Sequence, residues 1–308
     1  MIVATWNLEN LYLPGGEFGP HDQAAYDAKL DALATTIDAI APDVLAVQEI
    51  GDPVALDDLT DRIGGTWHVA LSEQPDDRGI RVGFLSRAAV ERVDAFRRFP
   101  DGLAPVQVED DGTTARELGR GGLGIRVGGI ELVTCHLKSK LLSFPGGRFN
   151  PRNEGERARY GAYALYLRAA EVVTVRAHAD ALLDGAGAER AVLLLGDLND
   201  ELQAATTQVL LGPPGSEIGT PGFDRPDQGD ARRLWNLAPL IPPERRFTRI
   251  YRGRRELIDH VLVSRAVVDR VTRVDTAVDA LPSITDEPAE RRDAPGSDHS
   301  PVVVELTA

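Results

Sequence analysis

"AVLLLGDLND", residues Ala191–Asp200, runs apolar from Val192 to Leu195 and then places Asp197 and Asn199 where the run ends. A short apolar run bounded by turn residues reads as a strand buried on both faces. Polar side chains at the end of such a strand need partners or a ligand, because burying them unpaired is costly. The same transition recurs along the chain. "TWNLEN" brings Asn7 to the end of a strand that starts at Ile2, and "DVLAVQE" ends on Gln48 and Glu49. "ELVTCH" reaches His136, "LIDHVLV" carries Asp259 and His260 at its head, and "GSDHSPVVVEL" places Asp298 and His299 just before its strand. Six strand ends with this chemistry point to one sheet edge where loops form a cleft.

The segments between these strands set the fold class. From Ala24 to Ala41, Tyr26, Leu30, Leu33, Ile37 and Ile40 make one buried helical stripe, closed by Pro42. A short helix is expected in "DPVALDDLTDRIGG", a long one over residues 155–183 and a third in "ELQAATTQVLLG". "RVGFLSR", "GLGIRVGG" and "IELVTCHLK" read as strands, the last two as a hairpin about Gly128-Gly129. Gly/Pro/Asp-rich loops are expected over 212–230 and 281–296. Helices alternating with strands early, and strand pairs elsewhere, predict a layered α/β protein with sheets packed on each other and covered by helices. No linker divides the 308 residues, so a single domain over 1–308 is expected.

Composition narrows the class. No apolar run approaches the roughly 20 residues that span a bilayer, and Met1 leads straight into a strand without a leader-like segment. With one cysteine, Cys135, there is no internal disulfide and no cysteine-rich zinc site, and a cytoplasmic, reducing location is expected. No membrane insertion and no obligate protein partner are expected. The net charge of −14 argues against indiscriminate binding to nucleic acid or anionic membrane. Arginines nevertheless gather in "GGRFNPRNEGERARY" and "ERRFTRIYRGRRE". Most read as solvated surface in a chain with few lysines, and a few as grips for phosphate.

Carboxylates and amides are hard oxygen donors, suited to Mg²⁺ or Mn²⁺. Several carboxylates held together repel unless a cation accompanies them. Histidines add a general base or acid near neutral pH and a donor to a developing oxyanion. Together these groups describe hydrolysis of a phosphate ester by in-line attack of water.

"TWNLEN", "VQE", "HLKSK", "GDLND", "LIDHVLVS" and "SDHSPV", in this order over residues 5–303, resemble the endonuclease/exonuclease/phosphatase superfamily. The resemblance implies a four-layered αββα sandwich of two packed mixed sheets flanked by helices, with the active site at one sheet edge. It implies that Asn7 and Glu49 hold the metal, with Asp298 a further metal-side carboxylate. His136 resembles the histidine that hydrogen-bonds the scissile phosphate, and Asp197 and Asn199 the pair that orients water and phosphate. His299, held by Asp259, resembles the family's His–Asp dyad; whether Asp197 or His299 takes the water proton stays open. "NLENL" with "HLKSK" is similar to a subgroup that includes bacterial extracellular-type nucleases. Lys138, Arg152 and either Arg116 or Arg120 are candidate substrate contacts. Arg81 stands where many relatives place an acid that steadies the phosphate-binding histidine, leaving Asp76, Asp77 or no side chain for that task.

Taken singly, each residue has a blander reading. Asp197, Asn199, Asp298 and His299 could be turn formers, His260 a packed histidine with a satisfied ring, and Cys135 a core residue facing away from His136. By strand alternation Glu9 should share a face with Asn7. Three functions are compatible with the residues. The first is a Mg²⁺- or Mn²⁺-dependent phosphodiesterase acting on nucleic acid. The second applies the same chemistry to a small phosphorylated metabolite, lipid headgroup or inositol phosphate, and the third is an inactive binding scaffold.

Overall fold

A computed structural model of the chain describes residues 1–277 and 280–307. Strand β1 (Ile2–Leu11) leads to helix α1 (Gln23–Ile40), β2 (Val44–Ile50) and α2 (Pro53–Ile63). Asp22 caps α1 by accepting the Ala25 N–H, and Ala41 closes it in the left-handed conformation just before Pro42. Asp52 caps α2 with Pro53 in its first turn, where a missing N–H costs nothing. Strands β3 (His68–Leu71), β4 (Arg81–Ser86) and β5 (Arg92–Arg98) follow, then a small hairpin of β6 (Val106–Gln107) and β7 (Thr114–Ala115). The predicted hairpin about Gly128-Gly129 is formed by β8 (Glu117–Val127) and β9 (Ile130–His136).

Helix α3 (Glu154–Leu183) is capped by the Asn153 side chain and precedes β10 (Val192–Asp197) and α4 (Ala205–Leu211). The remaining elements are β11 (Trp235–Asn236), β12 (Arg249–Tyr251), β13 (Arg254–Glu256), β14 (Asp259–Val263), α5 (Arg265–Val268), β15 (Val271–Thr276), β16 (Ser283–Ile284) and β17 (Val302–Leu306). A three-residue strand pair in "RIYRGRRE" and the exposed strand β5 lie outside what the apolar pattern predicts. α4 begins four residues later than "ELQAATTQVLLG" suggests.

Two six-stranded mixed sheets form the centre, in the orders β15-β17-β1-β2-β4-β3 and β11-β14-β10-β9-β8-β5. Each has a single parallel pair at its middle, β1 with β2 and β9 with β10, flanked by antiparallel neighbours. Three separate apolar clusters fill the three interfaces of four layers. Tyr26, Leu30 and Leu33 of α1 pack on Trp6 and Leu8 of the first sheet. Val3, Phe84, Leu132, Leu193 and Val304 lie between the sheets. Val172, Val175 and Leu183 of α3 cover Val133 and Leu194 of the second sheet. The order helix, sheet, sheet, helix is the expected αββα sandwich, and Cys135 lies in the third cluster, as its alternation predicts. Truncating a fully buried core leucine such as Leu193 to alanine costs about 2–5 kcal/mol. No helix among the described residues is long and apolar enough to cross a membrane.

Candidate active site

Both central parallel pairs end on the same side, so the last residues of β1, β2, β9 and β10 are brought together. The register sets Asp197 beside His136 on one flank and beside Asp259 on the other. Gly196 makes this possible: its φ is 148°, and a Cβ there would stand 2.1 Å from the Cys135 carbonyl oxygen. Beneath the edge, the Gln48 amide donates to Thr5 Oγ1 and, across the two sheets, to Thr134 Oγ1 at 3.0 Å. Buried polar groups bonded in this way fix how the sheets register on one another.

Asn7 is the link between the halves. Its Nδ2 donates to Glu49 Oε1 at 3.2 Å and to Asp197 Oδ2 at 3.0 Å, while its Oδ1 accepts the Glu9 N–H at 2.9 Å. His136 Nε2 lies 3.4 Å from Asp197 Oδ2 and 3.8 Å from Glu49 Oε1. The Asn199 N–H donates to Asp197 Oδ1 and its Nδ2 donates to the Leu137 carbonyl, so Asn199 ties the end of β10 to that of β9. His299 Nδ1 and Asp259 Oδ2 are 2.7 Å apart. The loop before β17 is fastened to β1 by Trp6 Nε1 donating to the His299 carbonyl and by Ser297 Oγ donating to the Asn7 carbonyl.

Burial and charge set the two histidines apart. Burial drives His136 well below the usual imidazole range, and the charges of Arg120, His299 and Arg78 push the same way. Burial also depresses His299, but Asp259, Asp298 and Asp197 outweigh it and raise His299 to about 10. Near neutral pH one ring is therefore neutral and the other cationic. Burial, then the Asp259 charge, raises Asp197 to about 6, against the pull of His299 and Asn7. Among the described residues no acid reaches His136 Nδ1, which is buried without a partner; Asp76 instead pairs with Arg120 at 3.1 Å and closes its own turn through the Arg78 and Ile80 N–H groups.

Asp197, Asp259 and His299 each direct a donor atom into a space no more than 4.8 Å across. Glu49 and Asp298 have no Lys or Arg within ion-pair distance among the described residues, whereas the neighbouring Glu9 and Asp76 each have one and Asp200 has two. Oxygen donors without a protein counter-charge, together with unpartnered buried atoms on His136 and Asp259, fit a hard divalent cation and a phosphate. Asn7, Glu49 and Asp298, the residues the resemblance assigns to the metal, would be the ones to hold such a cation, although the Asn7 amide nitrogen faces the carboxylates and its Oδ1 accepts the Glu9 N–H.

The structure sorts the candidate substrate contacts. Arg120 reaches the Leu137 carbonyl at 3.3 Å and flanks His136. Arg116 lies exposed between β7 and β8, and Arg152 lies exposed in the turn before α3. Lys138 turns its ammonium back on the Ser139 and Leu141 carbonyls, and burial lowers it to about 8. His260 is satisfied on both nitrogens, by Asn236 and the Asp200 carbonyl.

Several supporting residues were not found in the sequence. Glu171 of α3 accepts the N–H groups of Gly119 and Lys138, and Arg168 donates to the Lys138 carbonyl, so α3 grips both sides of that residue. Lys29 of α1 is buried and donates to the Gly296 carbonyl at 3.2 Å. Its signal was present: a lysine three residues after Tyr26 and four before Leu33 sits on the buried stripe. Glu171 and Arg168 also lie on the buried stripe of α3, with Ala164, Val172, Val175, Ala179 and Leu183, but apolar residues on the outer face, such as Leu165 and Tyr166, blur that stripe in the sequence.

The profile of the Endonuclease/Exonuclease/phosphatase family matches residues 4–299. No curated protein matches the chain by sequence. Among solved structures, a truncated Caenorhabditis elegans TDP2 is 15% identical, with a TM-score of 0.58 covering 100% of this chain and 97% of that one. The Bacteroides thetaiotaomicron mannosyl-6-phosphatase Bt3783 is 15% identical, with a TM-score of 0.57 and full coverage of both chains. A 3'-5' exonuclease from Neisseria meningitidis is 18% identical, with a TM-score of 0.55, again covering both chains fully. At these identities the likeness shows the shared fold.

Proposed function

The chain belongs to the Endonuclease/Exonuclease/phosphatase family, whose members are divalent-metal-dependent hydrolases of phosphate esters, and on that premise we propose that it is a Mg²⁺- or Mn²⁺-dependent phosphodiesterase acting on nucleic acid. The profile match over residues 4–299 supports treating 1–308 as one catalytic domain.

The observation that carries the nucleic-acid reading is an exposed aromatic–arginine pair beside the cluster. Arg78 lies over Phe18 at 5.8 Å, and its backbone carbonyl accepts the Tyr12 hydroxyl. Phe18 is 39% exposed, and the Arg78 charge reaches His136. Gly51 leaves room for this arrangement, since a Cβ there would meet the Tyr12 ring at 2.1 Å. Arg249 and Arg252 also lie over Tyr251, at 5.8 and 5.6 Å, and the Arg249 charge reaches Asp197 and Asp298. Glu256 and Asp286 already pair with these two guanidinium groups, so this second cluster adds field rather than a free phosphate grip. Aromatic faces for bases beside guanidinium groups for phosphates are the means by which single strands are held.

The chemistry follows from the protonation states. A cation held by Glu49 and Asp298 supplies positive charge against the negative charge growing on the phosphoryl oxygens. His299, kept cationic by Asp259, donates to a phosphoryl oxygen, and neutral His136 serves as a second donor that adds no charge of its own. Asp197, raised to about 6, is ionised in most molecules at neutral pH and basic enough to receive the water proton. Asn199 holds it in place.

A second reading, hydrolysis of a small phosphorylated metabolite, is favoured by the net charge of −14, which repels a long polyanion away from the cluster. Assays of purified protein on plasmid, single-stranded DNA, RNA, bis-p-nitrophenyl phosphate and inositol phosphates, each with Mg²⁺, Mn²⁺ or EDTA, test both. Metal-dependent cleavage of a nucleic acid is expected. Turnover of small esters with every nucleic acid left intact overturns the first reading in favour of the second.

A further inference from the structure

Glu9 and Asn10 break the regularity of β1. Both adopt positive φ, 51° and 53°, which non-glycine residues rarely do and which functional sites collect. The β1–β2 register also shifts between Asn7 and Leu11. Alternation is lost there, and Glu9 does not simply repeat the environment of Asn7 as a regular strand would have it. Two consecutive left-handed residues turn successive N–H groups toward the site. The Glu9 N–H donates to Asn7 Oδ1, and the Asn10 N–H donates to Glu49 Oε2, both at 2.9 Å. The Glu9 carboxylate reaches the other way: its Oε2 accepts the Asp298 N–H at 2.9 Å. This dipeptide thus touches all three residues assigned to the cation.

We propose that Glu9, clamped by Arg291, is a positioning residue that sets the placement of Asp298 relative to Asn7 and Glu49. Arg291 Nε and an Nη donate to Glu9 Oε1 and Oε2 at 2.6 and 2.7 Å, a bidentate geometry that fixes the plane of the carboxylate. Without that fork the carboxylate would rotate away from the Asp298 N–H, and the loop carrying Asp298 would lose one of its fastenings to β1. Lys29 supports the loop from below through the Gly296 carbonyl. The inference rests on the reading that Glu49 and Asp298 hold the metal. Neither Glu9 nor Arg291 needs to touch it. Partners of this kind typically contribute about 10–100-fold to metal affinity.

The test measures Mn²⁺ binding by calorimetry for the whole chain and for Glu9→Ala, Arg291→Ala, the double variant and Glu49→Gln, with thermal melting to confirm folding. Glu9→Ala and Arg291→Ala should each weaken Mn²⁺ binding by about tenfold or more. The double variant should lose little beyond either single one, as residues acting through one contact do. The half-saturating Mn²⁺ concentration for turnover should rise by the same factor, with kcat largely recovered at saturating Mn²⁺. Should Glu9→Ala not fold, Glu9→Gln, which keeps an acceptor for the Asp298 N–H but loses the charged fork, makes the same comparison. Unchanged Mn²⁺ affinity in the clamp variants, with binding abolished in Glu49→Gln, overturns the positioning role alone. Full Mn²⁺ affinity in Glu49→Gln overturns the metal assignment on which it stands.

Discussion

Glu49, at the edge of the first sheet, keeps 17% of its side chain exposed, whereas Asp197, at the equivalent edge of the second, keeps 2%. The two sheets repeat one plan, a central parallel pair with antiparallel flanks, yet finish it differently. On the first sheet the polar residues are held by strained backbone, a bulge and a loop borrowed from residues 288–299. On the second, in-register strands place His136, Asp197 and Asp259 side by side, with positive φ at Gly196 in β10 and at Asn199 just beyond it, and α3 braces the backbone behind them. Glu49 is therefore partly open to solvent, while the second edge is dry, as shifted protonation states require. A shared strand order does not dictate a shared way of holding side chains.

The largest expected effects lie on the second edge. Asp197→Ala and His299→Ala should each lower kcat by about 10²–10⁴-fold. The Mn²⁺ affinity, read by calorimetry, should move far less than in Glu49→Gln. Equal metal losses at the two edges would erase the distinction drawn here.

Metal removal comes next. A cation present at 100 times its Kd stabilises the folded state by about 2.7 kcal/mol, so EDTA should lower Tm by several degrees. The shift should vanish in Glu49→Gln and persist in Asp197→Asn.

Gly196→Ala should cost roughly 1–3 kcal/mol in denaturant unfolding, because its Cβ meets the backbone of β9. Gly51→Ala first meets the Tyr12 ring, a side chain that can swing, so the change should appear in KM for a nucleic-acid substrate more than in stability.

The pH dependence should be smaller and of definite sign. His299 is raised to about 10 from an ordinary value of 6.5. A raised histidine contributes stability that is whole below about pH 6.5 and is lost as pH rises through about 10. Metal-free protein should therefore melt at progressively lower temperature over that window, and Asp259→Asn should flatten the slope. Arg116→Ala and Arg152→Ala, at exposed positions, should change stability by no more than about 0.5 kcal/mol, with turnover unchanged.

The contrast between the edges also explains what could be read in the sequence. Buried strands announce themselves by apolar runs, so β2, β9, β10, β14 and β17 were legible together with the polar residues at their ends. β5 is exposed along most of its length and persists through its pairing with β8, so "RVDAFRR" carries no apolar pattern to detect. The hairpin of β12 and β13 is equally masked by arginines. The positive φ angles of Glu9 and Asn10 are invisible in residue types. Arg291 ends a short 3-10 turn, Pro288–Arg291, and its pairing across 282 residues leaves no local trace. The clusters at Arg148 and Arg157 proved to be local pairs with Glu156 and Glu154, as their solvated reading implies.

Only three of the thirty-four Lys and Arg residues are lysines, and none lies far from the catalytic edge. Lys29 is buried under the Asp298 loop, Lys138 is folded into the turn after His136, and Lys140 pairs with Asp200 at 3.1 Å. Amine-directed acylation thus has no other side-chain targets on this protein. Mass-spectrometric readout of the three adducts, with and without a bound polyanion, makes the chain its own footprinting reagent for the site.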